Sequence, residues 1–149
     1  VKGVAARGVQ VERIQSGDLP LVSRLDAPAR IGVDRALAAW FTYAQQGLPL
    51  QRGAIAVTLG TALTLTCVSR AGELLGGAIA ASPLLAARAL ASGTAVLPEV
   101  ALYDESPEIP GPIGASTESA LASGILRSIR GGLVALISES VAEMQRRDP

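Results

Sequence analysis

The stretch 63–68 constrains the fold of this chain more than any other. Leu63, Leu65 and Cys67 alternate with Thr64, Thr66 and Val68, a two-residue period that sends successive side chains to opposite faces of a strand. An apolar run, Ala54-Ile55-Ala56-Val57, precedes it, with Gly60 as the turn between them. Arg70-Ala71-Gly72 reads as a hairpin turn into a third strand over 74–79. Three short consecutive strands with tight turns predict an antiparallel meander, which has to bury its apolar face against helices.

Helical periodicity flanks these strands. Gly32-Val33-Asp34-Arg35 runs straight into Ala36-Leu37-Ala38-Ala39-Trp40-Phe41, where Leu37, Phe41 and Ala44 share a helical face. Asp34 therefore lies at or next to a helix N-terminus, where a carboxylate is stabilised. Pro83 marks the first turn of a helix expected to end near residue 91. Pro98, Pro107, Pro110, Pro112, Gly111 and Gly114 make 98–115 an irregular connection. Ser116 or Thr117 then caps a long last helix, whose apolar positions Leu121, Ile125, Ile129, Leu133, Leu136 and Val141 keep helical spacing. Gly124, Gly131 and Gly132 each cost that helix up to ~1 kcal/mol, so they are expected to pack closely against another helix or strand. Upstream, Val9, Val11 and Ile14 suggest a short strand, and 16–30 reads as loop. No internal repeat is present.

Composition excludes several function classes. The chain has no histidine, which removes Ser-His-Asp and Cys-His nucleophile systems and every His-ligated metal site. Cys67 is alone, so no intrachain disulfide forms; a reduced cytoplasmic setting is expected, with Cys67 as a small core residue. Lys+Arg and Asp+Glu both number 13, and no nucleic-acid partner is expected without clustered basic charge. The apolar-rich stretch 74–97 is broken by Ser82, Pro83 and Arg88 and falls short of the ~20 apolar residues of a spanning helix, so no membrane partner is expected. Val1-Lys2-Gly3 has no apolar segment behind it, and no signal peptide is expected.

Five short motifs stand in a fixed order: Gly32-Val33-Asp34-Arg35, Thr58-Leu59-Gly60-Thr61-Ala62, Gly76-Gly77-Ala78-Ile79, Thr94-Ala95-Val96-Leu97-Pro98 and Thr117-Glu118. In order and spacing, over about residues 26–138, they resemble the type III pantothenate kinases, the family of the Bvg accessory factors. The resemblance implies an α/β, ribonuclease-H-like domain of the actin, acetate-kinase and sugar-kinase superfamily. It also implies a division in which 1–30 is the remnant of a first domain and 31–149 is the second, kinase-like domain. The activity implied is ATP-dependent phosphorylation of pantothenate, the first step of coenzyme A biosynthesis. ATP, Mg2+ and a monovalent cation (K+ or NH4+) are the implied cofactors, and a homodimer is the implied assembly.

By the same resemblance, Gly32, Val33 and Arg35 bind pantothenate, Asp34 is the base on its hydroxyl, Thr117 contacts pantothenate and Thr61 contacts ATP. A guanidinium at position 35 suits a carboxylate. Phosphoryl transfer itself demands mainly positioning and charge stabilisation. On the residues alone Asp34 is more often a plain helix cap and Thr61 a plain strand residue. The chain also departs from the family pattern. Thr58 stands where the family's cation-binding aspartate would be, so a metal role there rests on a neutral hydroxyl. Leu25 replaces a tyrosine, and Ala81-Ser82 a Pro-Gly. The family's Asp-x-Gly-Asn-Thr phosphate motif has no match in the 31 residues before Gly32. The missing motif implies an activity that is incomplete in this chain, whereas Thr58, Leu25 and Ala81-Ser82 favour an alternative reading, a non-catalytic homologue that binds a small molecule or a protein partner.

Overall fold

A computed structural model describes residues 12–102 and 109–147 of the chain. Its elements in order are β1 (Val22–Ser23), α1 (Val33–Thr42), β2 (Ala54–Leu59), β3 (Ala62–Val68), β4 (Glu73–Ala81), α2 (Pro83–Gly93) and α3 (Thr117–Arg147). Helix α1 runs on into a wider π-type turn, Tyr43–Gly47. The strands form one mixed sheet in the order β1-β4-β3-β2.

Strands β2, β3 and β4 pair antiparallel. The expectation of a three-stranded sheet needs one correction: a fourth strand, β1, lies parallel to β4, with Val22 opposite Glu73 and Ser23 opposite Leu74. Two residues are too few to leave a periodic signal. The strand is held by backbone pairing, extended by Arg24 N–H donating to the Leu74 carbonyl at 3.0 Å and by the Arg24–Glu73 ion pair. Residues 16–18 and 28–30 form short 3-10 turns. Ile14 lies in no strand, and Val9 and Val11 are outside the described residues.

The alternation along β3 resolves into two covered faces. Val68 joins Ala54, Ala56 and Leu74 in a core closed by Ala39 of α1 and Tyr43 of the π-type turn that follows it. On the other face Cys67 and Ala78 line a 280 Å³ cavity with Leu136, Ser140 and Met144 of α3. The sheet is thus sandwiched between α1 and α3. A second, smaller core joins Ala87 of α2, Val100 and Ile125 of α3.

The buried face of α1 differs from the expected one. Leu37 and Phe41 are exposed, at 42% and 59%, whereas Ala36, Ala39 and Tyr43 are buried. Small side chains at 36 and 39 let the helix axis come close to the sheet. Tyr43 ends the buried stripe with its hydroxyl donating to the Arg70 carbonyl at 2.8 Å, across the β3–β4 turn. In that turn Gly72 takes φ +78° and its N–H donates to the Ser69 carbonyl.

The Gly76-Gly77 pair has a local cause. Cys67 pairs with Gly76 and Val68 with Leu74, so Leu75 is an extra residue on β4, a bulge. Gly76 takes φ +121° beside it. A Cβ on Gly77 would stand 1.9 Å from the Leu65 carbonyl oxygen, so only glycine lets β3 and β4 approach there. The glycines of α3 behave otherwise. A Cβ on Gly124, Gly131 or Gly132 would meet nothing within 4 Å, so the close packing expected of them is not made within the described residues.

Candidate functional site

The direction of α1 places the site. Arg35, near its start, reaches Thr66 in the middle of β3, and Tyr43, at its end, reaches Arg70 beyond β3. Helix and strand therefore run the same way, and the N-terminus of α1 points towards the β2–β3 turn at Gly60. Asp34 lies at that end, in the first turn of α1.

Gly32 is the N-cap residue of α1, and no side chain caps it. The Asp34 carboxylate is exposed and folds back over Gly32: a Cβ on Gly32 would stand 2.5 Å from Asp34 Oδ1. Glycine two residues earlier leaves room for the carboxylate in this position. Val33, between them, is 41% exposed.

Arg35 is half-buried against the sheet. Its Nε and Nη2 both donate to Thr66 Oγ1, at 3.3 and 3.2 Å. Thr66 is 1% exposed. On the same face of β3 lies Thr64, whose hydroxyl shares a 2.7 Å hydrogen bond with that of Thr58 on β2. A row of hydroxyls therefore runs along the sheet from the Arg35 guanidinium to Thr58. These donors do not fit a resident cation: Thr58 and Thr64 satisfy each other and bring no charge. Among the described residues no group of three or more Cys, Asp or Glu side chains is placed to hold a metal.

Thr61 sits exposed at the β2–β3 turn. Its carbonyl accepts a hydrogen bond from the Ser82 hydroxyl at 2.9 Å. Ser82 is also the N-cap of α2, its Oγ accepting from Leu85 N–H at 3.2 Å. The Ala81-Ser82 departure thus has a structural role of its own, tying the turn to α2. A Ser-Pro pair at a helix start is the sequence signal for it.

Thr117 lies apart from Arg35, as the first residue of α3, with Ser116 as the cap: Ser119 N–H donates to Ser116 Oγ at 3.2 Å. Thr117 borders an apolar trough of 740 Å³ between α2 and α3, lined also by Leu90, Leu97, Leu121 and Ile125. Beside it, hydrogen bonds from its own backbone N–H and from Ser116 hold the Glu118 carboxyl below the usual carboxylate range. Ala81 also lines the trough and pairs with Ala62, so the trough opens at the same end of the sheet as Thr61. The structure joins Arg35, Thr66, Thr64 and Thr58 on one sheet face, with Asp34 and Thr61 at its open end. It puts Thr117 in a separate trough at that end. Thr64 and Thr66 are the members that sequence reasoning missed.

The sequence was compared with known proteins. The family model described as type III pantothenate kinase matches residues 4–140. The chain belongs to that family. As a type III pantothenate kinase family member it is 37% identical over 139 residues to a type III pantothenate kinase of Synechococcus sp., covering 93% of this chain and 50% of the relative. It is 40% identical over 140 residues to type III pantothenate kinase 1 of Symbiobacterium thermophilum, covering 90% and 50%. With the type III pantothenate kinase of Rubrobacter xylanophilus it shares 35% identity over 127 residues, 85% and 46%. The chain spans about half the length of the curated relatives it matches. The family match begins well before residue 26, so the likeness includes the segment that carries β1.

Proposed function

We propose that this chain forms the pantothenate-binding half of an ATP-dependent kinase that makes 4'-phosphopantothenate, the first step of coenzyme A biosynthesis. The observation that carries the reading is the α1 start: an exposed carboxylate at Asp34 that caps nothing, given room by Gly32, beside a guanidinium at Arg35 with no ion-pair partner among the described residues. In this reading the substrate hydroxyl oxygen attacks the γ-phosphorus of ATP. Asp34 accepts the hydroxyl proton, the bond from that phosphorus to the bridging oxygen breaks, and ADP leaves with the electron pair. Arg35 holds the pantothenate carboxylate, Gly32 and Val33 line the substrate, Thr61 meets ATP at the β2–β3 turn, and Thr117 meets pantothenate from the α3 trough. Mg2+ and a monovalent cation, when bound with the nucleotide, would offset the charge of its phosphates; Thr58 is not assigned a ligand role.

The fold assignment proposed with it is the second, ribonuclease-H-like domain of an actin-superfamily kinase over 31–149, with 1–30 as the tail of the first. The enzyme is cytoplasmic and homodimeric. The dimer is supported by α3, whose apolar stretch is largely unburied, with Val134 and Val141 exposed. By length and composition alone α3 is apolar enough to cross a membrane; in this reading a second copy covers it.

The test is steady-state kinetics of the full-length protein. Asp34→Asn should cut turnover by ~10²–10⁴-fold, the usual range for a lost general base, while pantothenate still binds. Arg35→Ala should weaken pantothenate binding more than turnover. If Asp34→Asn keeps most of its turnover, the alternative gains: a homologue that binds a small molecule or partner without phosphorylating it. The neutral Thr58–Thr64 pair is the feature that favours this second reading.

A further inference from the structure

We infer that Thr66 is a positioning residue for Arg35, and that its neutrality is what leaves the guanidinium charge available to an anionic substrate group. The inference rests on the pantothenate reading for the identity of the ligand and on this chain's own geometry for the rest. Two donors of one guanidinium, Nε and Nη2, converge on a single hydroxyl oxygen. Thr66 is 1% exposed, in the central strand of the three long ones, pinned between Ala56 on β2 and Gly77 on β4. A side chain so confined gives Arg35 a fixed anchor and takes most of the entropy cost out of ordering a long flexible arm.

The chemistry of the anchor matters as much as its place. A carboxylate at position 66 would pair with Arg35 and cancel its field. A hydroxyl accepts two N–H bonds and leaves the positive charge whole. No ion pair to Arg35 occurs among the described residues, and Nη1, on the outer side of the fork, makes no hydrogen bond there. The guanidinium is therefore oriented from behind by a neutral group and presents a charge-assisted donor to whatever binds at the start of α1. Asp34 lies one residue away at the same helix start, so a ligand that extends from Arg35 to Asp34 is an anion at one end and a proton donor at the other.

Two variants of the full-length protein separate the roles. Thr66→Val keeps the shape and removes the acceptor; Thr66→Ser keeps the acceptor. Two readouts are taken on each: the Arg35 Nε–H resonance by NMR, and the ratio of dissociation constants for pantothenate and its uncharged alcohol analogue, panthenol. In the wild type and Thr66→Ser, the Nε–H resonance should be discrete and pantothenate should be favoured. In Thr66→Val, the resonance should broaden into solvent exchange and pantothenate binding should weaken about tenfold, the size of one lost hydrogen bond to a charged group, with panthenol binding little changed. An unchanged Nε–H resonance in Thr66→Val overturns the positioning role. So does a lost resonance that Thr66→Ser does not restore, since that reports disturbed packing. If the resonance behaves as expected but the wild type does not favour pantothenate over panthenol, the positioning role holds and the pantothenate reading fails.

Discussion

Gly77→Ala tests whether the close approach of β3 and β4 is what the Gly-Gly motif exists to permit. The new methyl would stand 1.9 Å from the Leu65 carbonyl oxygen, 2.8 Å from its carbon and 3.0 Å from Thr66 Cα. Carbon and oxygen settle at roughly 3.3 Å even in favourable contacts, so the strands have to part by more than about 1 Å. That separation breaks the local ladder: about two backbone hydrogen bonds at ~1 kcal/mol each, with a further ~1–3 kcal/mol for overpacking. A loss of ~3–5 kcal/mol is a large part of the ~5–15 kcal/mol that stabilises a typical domain. Urea unfolding followed by far-ultraviolet circular dichroism measures it, with Gly60→Ala as the control. A Cβ at Gly60 meets nothing within 4 Å, so its cost should stay below ~1 kcal/mol. If Gly77→Ala falls within ~1 kcal/mol of the wild type, the steric account is wrong. Because Gly77 is the register partner of Thr66, the same substitution should also disturb the Arg35 anchor.

Cys67 should react slowly with a thiol reagent in the native protein and fast in denaturant. Burial pushes its thiol up by more than the Ser140 hydrogen bond and the Arg147 charge pull it down; fast native labelling would contradict this. Helix α3 should lose helicity on acidification. Glu118 at its start and Glu143 near its end have carboxyls held below the usual range, Glu143 chiefly by hydrogen bonds from Arg147 and Arg146. A depressed carboxylate stabilises the fold above its unfolded value and loses that contribution as pH falls through the folded one. Circular dichroism that stays flat from neutral pH to well below the glutamate range would refute it. Sedimentation should show a dimer at tens of micromolar, and a clean monomer would count against α3 as a self-association face.

The order of local elements was legible along the chain. The alternation at 63–68 marked β3, the Arg70-Ala71-Gly72 turn led into β4, Pro83 opened α2, and the Ser116-Thr117 pair marked the start of α3, because each depends on neighbours a few residues apart. The motif set that resembled type III pantothenate kinases led to the same family that the comparison identified. Of the candidate site, the Gly32-Val33-Asp34-Arg35 segment was visible as a motif at a helix start, although its chemistry there came from the resemblance.

Tertiary structure decided the rest. Which face of α1 is buried could not be read from hydrophobicity, since Leu37 and Phe41 are the larger residues; the sheet selects Ala36 and Ala39 because only small side chains let the helix sit close to it. The pairing of β1 with β4 is carried by backbone groups, which carry no side-chain signature. Arg35 and Thr66 are 31 positions apart, and only the packing of α1 along β3 brings the guanidinium to the hydroxyl. The need for glycine at 77 arises from the Leu65 carbonyl of a neighbouring strand. A sequence specifies its local conformations through short-range sterics and hydrogen bonding, but contacts between distant residues exist only once the chain has closed around its core.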